Sequence, residues 1–281
     1  MPVDARRMLR KMRGGSQAHL LEASDGHSYV VKFQNNPQHR RILINEWISA
    51  AFLSYLGLSC PPVAMVRVTE QFLAANPDVF MQLGSLRFPP HPGWHFGSRF
   101  PGDPSRTAVY DFLPDALLSK VENLQDFLGV LVFDKWIGNA DSRQAIFFRA
   151  RLRADRPSLG RAQDSSFHLG FVAQMMDNGY VFEGPNWKLT DSPVQGLYFR
   201  PLVYRSVRGL GDFEPWLERI RHFPEEIVDH ALKEIPPAWL EDDRGELERL
   251  LERLLARRKR APDLIESCRK ARTDPFPAWR R

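Results

Sequence analysis

The hydrophobic positions of the first ninety residues fall mostly in short runs that are typical of β-strands. Runs at residues 18–21 and 28–33 predict two strands, and the sequence Ser-Asp-Gly between them has the residues of a tight turn. Two further strands are predicted at residues 63–68 and 79–83. Together these runs predict a small sheet at the start of the chain.

One helix is predicted within this region, over residues 40–56. Its apolar residues recur at helical spacing, and Gly57 supplies a stop signal directly after it. The apolar positions are Ile44, Trp47, Ile48, Ala51 and Tyr55.

The pattern changes after residues 88–104, a stretch rich in proline, glycine and aromatic residues that we interpret as a connection between two lobes. A helical pattern follows, and then two strand-like runs at residues 145–152 and 166–172. A polar insert with Pro157 and Gly160 joins these two runs. The remaining third of the chain is mainly helical in pattern.

The predicted fold class is α+β, with two lobes. Residues 1–90 would form a small β-rich N-terminal lobe with one helix, and residues 91–281 a larger helical lobe with an embedded hairpin. The 281 residues are 43% hydrophobic and 26% charged, which is ordinary for a globular protein. Two cysteines are too few for a disulfide framework, and no apolar run reaches the length of a membrane helix. A cytoplasmic protein without membrane contacts is expected.

The net charge of +5 is concentrated at the C-terminus. Residues 249–281 contain eleven Lys/Arg and four Asp/Glu, a net charge of +7. Such a run could bind nucleic acid. Leucines at helical spacing from Leu247 to Leu255 favour the other interpretation, a helix whose arginines lie on its solvated face. Nucleic acid is therefore not expected as a partner.

The first candidate for chemistry is Lys32, which ends an apolar run in a predicted strand. Lysine is rarely buried without a partner, and Glu46 lies fourteen residues later on the predicted helix. A strand lysine held by a helix glutamate positions an ammonium against nucleotide phosphates. The alternative is an edge-strand lysine in solvent. Upstream, Gly14 and Gly15, with Ser16 and Gln17, form a loop whose backbone could approach phosphate, or merely lead into the strand.

A short polar loop after Gly138 presents Asp141 and is followed at once by a hydrophobic strand. An aspartate in such a loop can accept the proton of a hydroxyl during phosphoryl transfer. Arg143 could stabilise phosphate charge or anchor the loop. Behind the second strand of the hairpin, Asp177 could hold Mg²⁺, since hard cations prefer oxygen ligands. Turn or capping roles are the alternative for both aspartates.

The order of these features along the chain matches that of kinases, and the segments resemble one kinase family. Gly14-Gly15-Ser16-Gln17, Val30-Val31-Lys32-Phe33, Asn45-Glu46, Trp136-Ile137-Gly138-Asn139-Ala140-Asp141 and Asp177-Asn178-Gly179 are similar to segments of HipA-like kinases. The resemblance spans roughly residues 6 to 265. It implies an atypical protein-kinase-like fold, distantly related to phosphatidylinositol kinases.

The resemblance also implies roles for single residues. Lys32 would contact ATP, Glu46 would pair with it, Asp141 would be the catalytic base, with Arg143 assisting, and Asp177 would bind Mg²⁺. The family includes a bacterial toxin that phosphorylates a protein on serine. A protein substrate and an antitoxin-like partner are therefore expected by resemblance.

The chain departs from the kinase pattern at Ile146, five residues after Asp141, where such kinases carry an asparagine that binds a second metal ion. Gln144 is the nearest amide and could take that role. The leading hypothesis is a protein Ser/Thr kinase that uses ATP and Mg²⁺. A nucleotide-binding pseudokinase that acts as an interaction module and a small-molecule kinase are the alternatives.

Overall fold

The computed structural model describes residues 2–153 and 167–280. The polar insert with Pro157 and Gly160 lies outside these ranges. Within them, no helix combines the length and the apolar character that a membrane crossing requires.

The N-terminal part is built around a closed five-stranded barrel in the order β1-β2-β3-β7-β4. All neighbouring pairs are antiparallel except β1 and β4, whose parallel pairing closes the barrel. The strands are β1 (Val3–Lys11), β2 (His19–Ala23), β3 (Ser28–Lys32), β4 (Val63–Val68) and β7 (Gly93–Arg99). A short hairpin, β5 (Met81–Leu83) with β6 (Leu86–Phe88), and the helix α2 (Glu70–Ala75) lie beside the barrel.

Two features of the barrel differ from the sequence prediction. The pattern did not reveal β1, because basic side chains fill most of its exposed positions and only Val3 and Ala5 are buried. The predicted connection at residues 88–104 is wrong, since β7 lies inside it and pairs with both β3 and β4. A lobe boundary at residues 90/91 would separate β7 from these partners, so we propose that the barrel unit ends at Arg99.

The helix α1 (Arg41–Tyr55) agrees with the prediction within a residue at each end, but it is buried on most sides. Its N-terminus is tied to later parts of the chain by ion pairs: Arg41 contacts Asp243 at 2.5 Å, and Arg40 contacts the same carboxylate at 2.8 Å. The Arg41 guanidinium also lies 4.0 Å from the ring centre of Trp187. These contacts attach the helix to the helical part of the molecule.

The helical part surrounds α4 (Asp126–Ile137), in which every residue from Phe127 to Ile137 is buried. A three-stranded sheet in the order β10-β9-β8 belongs to the same part of the chain, with β8 before α4 and the other two strands after it. The remaining elements are β8 (Val109–Tyr110), α3 (Asp115–Leu118), β9 (Gln144–Arg153), β10 (Phe167–Met176), α5 (Trp216–Arg221), α6 (Glu225–Lys233), α7 (Pro237–Leu240), α8 (Arg244–Ala256) and α9 (Ala261–Ser267). The predicted hairpin is present, and its second strand continues four residues further than expected.

The basic C-terminal run takes part in the fold. The leucine stripe of α8 is buried as predicted. Arg257, however, is buried as well, donates to the carbonyls of Trp136 and Lys135, and pairs with Asp191 at 2.5 Å. Arg260 reaches the same carboxylate. Arg257 is thus occupied inside the fold, which the prediction of a solvated arginine face did not foresee, whereas Arg260 remains exposed.

Two buried histidines, His19 and His95, flank Phe33 in the barrel core. His95 accepts a hydrogen bond from the Gln34 amide through Nδ1 and donates one to the His91 carbonyl through Nε2, both at 3.0 Å. This arrangement requires the neutral ring, and burial lowers the pKa of His95 to about 4.

We predict that acid weakens the fold between about pH 6.5 and 4. The unfolded chain binds a proton at His95 in this range and the folded chain does not, so stability is full above the unfolded pKa and falls as the pH drops. For His95 alone the loss amounts to about 3 kcal/mol. Urea unfolding of wild type and His95→Gln at pH 7 and pH 4.5 measures it, with exposed His222→Gln as control. Equal pH dependence in all three proteins would contradict the prediction.

Candidate active site

Lys32 is the last residue of β3, and its side chain extends toward α1. The alternation of β3 directs Val31 into the barrel core and Lys32 to the opposite face. The Lys32 ammonium forms an ion pair with Glu46 on α1 and a second one, at 2.8 Å, with Asp177. The predicted pair of strand lysine and helix glutamate is present, and an edge-strand lysine in solvent is excluded.

The two carboxylates control the charge of this lysine. Burial opposes the charged ammonium, but the charges of Glu46 and Asp177 outweigh burial and raise the pKa of Lys32. In return, the Lys32 ammonium lowers the pKa of Asp177 despite partial burial. An ammonium has three donors, and among the described residues these carboxylates accept two of them. The third donor is available for a further anion.

Asp177 follows β10 in the left-handed backbone region, with φ of 58°, which is unusual for a residue other than glycine. Asn45 of α1 holds the segment behind it. Its side-chain amide donates to the carbonyls of Gly179, Val181 and Gly184 at 2.7–3.1 Å, and its oxygen accepts from the Trp187 indole at 2.9 Å. A single buried side chain therefore fixes the position of the loop that carries Asp177.

The loop with Asp141 starts where α4 ends. Gly138 has φ of 72°, the left-handed conformation that closes a helix, and Asn139 then bonds back to Asp134 at 3.0 Å. The Asp141 amide donates to the Asn139 side chain at 3.1 Å, and its carbonyl accepts from the Gly196 amide at 2.9 Å. These bonds occupy the backbone of the loop and leave the Asp141 side chain exposed.

Arg143 has the contacts expected for one of its two predicted roles, that of a loop anchor. Its side chain is fully buried and forms a two-pronged ion pair with Asp134. The remaining donor bonds reach the Met176 carbonyl and the Asn178 side chain, both at 2.9 Å. The guanidinium thus joins α4, β9 and the Asp177 segment. We assign Arg143 to loop anchoring, the second of its predicted roles, in place of a contact with phosphate.

The glycine loop connects β1 and β2. Gly14 needs its lack of a side chain, because its φ of 117° disfavours other residues. Gln17 turns away from the cavity: its side-chain amide donates to the Gln82 carbonyl and its oxygen accepts from the Gln82 amide at 2.8 Å. Ser16 is buried. Of the four predicted loop residues, Gly14 and Gly15 line the cavity, and Gln17 instead secures the loop to the β5–β6 hairpin.

One cavity of about 910 Å³ brings most predicted residues together. Gly14, Gly15, Asp141, Gln144 and Asp177 line it, with the edge of Arg143. Gln144 is exposed at the start of β9, while Ile146 is half-buried and opposite Gln174 in the hairpin. Gln144 therefore lines this cavity, whereas Ile146 does not.

Sequence reasoning missed several residues of the same cavity. Gln38 reaches under the glycine loop: a Cβ at Gly15 would be 2.7 Å from its Nε2 atom, which lies 3.5 Å from the Tyr180 hydroxyl. Asp111 and Phe199 line the opposite side. Tyr180 follows the Asp-Asn-Gly segment directly and could have been suspected, but neither Gln38 nor Asp111 belongs to a recognisable motif.

A second depression of about 810 Å³ continues along the same face of the barrel. Arg10 borders both cavities, and Leu20, Ser28, Arg99 and Asp103 line the second one. Leu20 is paired with Val30, which shares a strand face with Lys32. A long ligand could therefore lie along this face, from residues 99–105 to the Asp141 loop.

Comparisons with solved structures identify the fold. The structure of a Golgi casein kinase with Mn/ADP bound superposes with a TM-score of 0.52, at 12% identity, covering 96% of this chain and 74% of that one. A second structure of the Golgi casein kinase gives a TM-score of 0.51 at 13% identity, covering 96% and 73%. No curated protein sequence matches the chain significantly. The fold is kinase-like.

The sequence itself matches a family model. Residues 6–146, half of the chain, match the model described as HipA-like kinase. The match includes the glycine loop, Lys32, Glu46 and Asp141, while the Asp177 segment lies beyond it. The chain belongs to the HipA-like kinase family.

Proposed function

We propose that this protein transfers the γ-phosphate of MgATP to a hydroxyl group, with Ser or Thr of a protein as the acceptor. The observation that carries the proposal is the position of Lys32, whose ammonium is held by Glu46 and by Asp177, while Asp177 in turn lines the cavity that contains Asp141. Family membership supports a kinase-like phosphotransferase.

The nucleotide would lie along the barrel face. Its base end would occupy the depression beside Leu20 and residues 99–105, and its phosphates would lie below Gly14 and Gly15. The third donor of Lys32 is free to bind a phosphate oxygen, and its positive charge is secured by the two carboxylates. Arg143 and Asn45 act as positioning residues because they fix the two loops that carry Asp141 and Asp177.

The protein offers two oxygen ligands for a magnesium ion, so the phosphates would supply most of the remaining ones. Asp177 supplies a carboxylate and Gln144 an amide oxygen, and among the described residues no cluster of three His, Cys, Asp or Glu side chains forms a metal cage of its own. Mg²⁺ commonly binds through one or two carboxylates together with nucleotide phosphates. When bound, the ion would neutralise phosphate charge. The neighbouring kinase with Mn/ADP supports nucleotide and divalent-metal use.

Asp141 would act on the acceptor. Its exposed carboxylate would take the proton as the acceptor oxygen forms a bond to the γ-phosphorus. The bond between that phosphorus and the β–γ bridging oxygen breaks, and ADP leaves. Since the backbone amides of residues 139–143 all donate to partners within the protein, the carboxylate needs little reorganisation for this role.

Two other functions are alternatives to this proposal. A pseudokinase would bind the nucleotide without turnover, and Ile146 at the usual asparagine position favours it. A small-molecule kinase would use the same residues on another acceptor, because a fold does not determine a substrate. An antitoxin-like partner remains a prediction from the family resemblance.

We predict that Asp141→Asn lowers the rate of ATP turnover by about 10²–10⁴-fold, since a general base is lost. Binding of MgATP should persist and raise the melting temperature by about 5 °C at saturating nucleotide. Radiolabelled phosphate transfer and thermal denaturation measure the two effects on the same preparations.

Asp78→Asn, an exposed change away from the cavity, is the matched control and should behave as wild type. If wild type and Asp141→Asn are equally inactive but both are stabilised by MgATP, the pseudokinase function is correct. Absence of any stabilisation by ATP with Mg²⁺ or Mn²⁺ would contradict nucleotide binding altogether.

We further predict that Gln144→Ala raises the Mg²⁺ concentration for half-maximal turnover about tenfold, because one oxygen ligand is removed. Gln125→Ala, at the exposed start of α4, is the control. Magnesium titrations at fixed ATP measure the effect. An unchanged titration in Gln144→Ala, together with a shifted one in Asp177→Asn, would leave Asp177 as the single protein ligand.

A further inference from the structure

The exposed Phe199 lines the proposed active site, and two further exposed aromatic residues, Tyr110 and Phe112, flank Asp111, which lines the same cavity. Phe199 is 62% exposed, Phe112 54% and Tyr110 43%. We call these residues the aromatic rim. Single exposed apolar residues are normal, but clustered aromatic residues beside a cavity mark binding surfaces.

Contacts between two chain segments hold the rim together. The Arg200 guanidinium lies 4.4 Å from the centre of the Phe112 ring and donates to the Leu113 carbonyl at 2.9 Å. Tyr110 pairs with Phe147 of β9, so its segment is fixed to the hairpin. The rim is therefore part of an ordered surface formed by residues 110–113 and 198–200.

The rim is adjacent to the proposed catalytic base. The Gly196 amide donates to the Asp141 carbonyl at 2.9 Å, and the Arg143 amide donates to the Leu197 carbonyl at 3.1 Å. Phe199 follows two residues later and lines the same cavity as Asp141. An acceptor whose hydroxyl approaches Asp141 through this cavity would therefore lie close to Phe199.

Asp111 adds a charge to the rim. Its side chain is exposed, lines the cavity, and forms no ion pair or hydrogen bond among the described residues. The nearby Asp115, by contrast, is paired with Arg200. A ligand that covers the rim therefore meets an apolar surface and one carboxylate that has no cation of its own.

Resting on the proposed function, we propose that the aromatic rim and Asp111 bind the polypeptide that carries the acceptor hydroxyl. The segment would place a large apolar side chain against Phe112 and Phe199, and a lysine or arginine against Asp111. Such a segment is complementary to the rim in both polarity and charge. A neutral sugar can stack on an aromatic ring, but it carries no cation for Asp111.

The test uses the full chain with MgATP and pools of Ser/Thr peptides in which one flanking position at a time is fixed. Phe, Tyr or Leu near the acceptor, and Lys or Arg at another position, should each raise phosphorylation at least fivefold over fixed Gly. Phe199→Ala and Phe112→Ala should raise KM for the apolar peptides about tenfold. Asp111→Lys should reverse the preference from basic to acidic residues.

Leu83→Ala and Asp78→Lys are matched controls, exposed to a similar degree but away from the cavity. Binding of labelled peptides in the presence of a non-hydrolysable ATP analogue gives the same comparison independently of turnover. Three results would each overturn the proposal. The first is peptide binding without any flanking preference, and the second is a preference that survives in Phe199→Ala, Phe112→Ala and Asp111→Lys alike. The third is transfer to sugars or lipid headgroups but not to peptides. Failure of ATP itself to stabilise the protein would instead contradict the proposed function.

Discussion

The ammonium of Lys32, buried between the carboxylates of Glu46 and Asp177, is the interaction on which the rest of the site depends. It joins a barrel strand, α1 and the loop behind β10. Removing one partner of such a buried pair typically costs about 3–5 kcal/mol, because the other charge is left without compensation. The surrounding polar residues serve this contact: Asn45 fixes the Asp177 loop, and Asn178 contacts Glu46.

The sequence was informative wherever local spacing determines structure. The helix end at Gly138 and the leucine stripe of α8 follow from periodicity and stop residues. The lysine–glutamate pair was favoured by the kinase-like order of the segments, Asp141 and Asp177 by their positions beside strands, and Gln144 as the amide nearest to the missing asparagine. The structure places Asp141, Asp177 and Gln144 around one cavity. Their catalytic and metal-binding roles remain proposals.

Tertiary packing explains what the sequence did not reveal. The glycine-containing stretch at residues 88–104 has the composition of a linker but contains β7. A small barrel needs glycine at close contacts, since a Cβ at Gly97 would lie 2.5 Å from a methyl group of Val66. The directions of Arg143 and Gln17 depend on Asp134 and on Gln82, which is 65 residues from Gln17. No local pattern encodes such distant partners, whereas spacing along one element can be read directly.

The ties at the N-terminus of α1 have a consequence for motion. Arg40 and Arg41 join this helix to α8 and the residue before it, and Asn45 joins it to the Asp177 loop, so the helix belongs mechanically to the helical part. A cleft that opens by rotation of the barrel would leave α1 behind and carry Lys32 away from Glu46. Nucleotide entry by that route would hydrate both charges, and closure would have to remove the water again. The rate of nucleotide exchange by that route would then depend on ionic strength, because closure has to bring the charges of Lys32 and Glu46 together again.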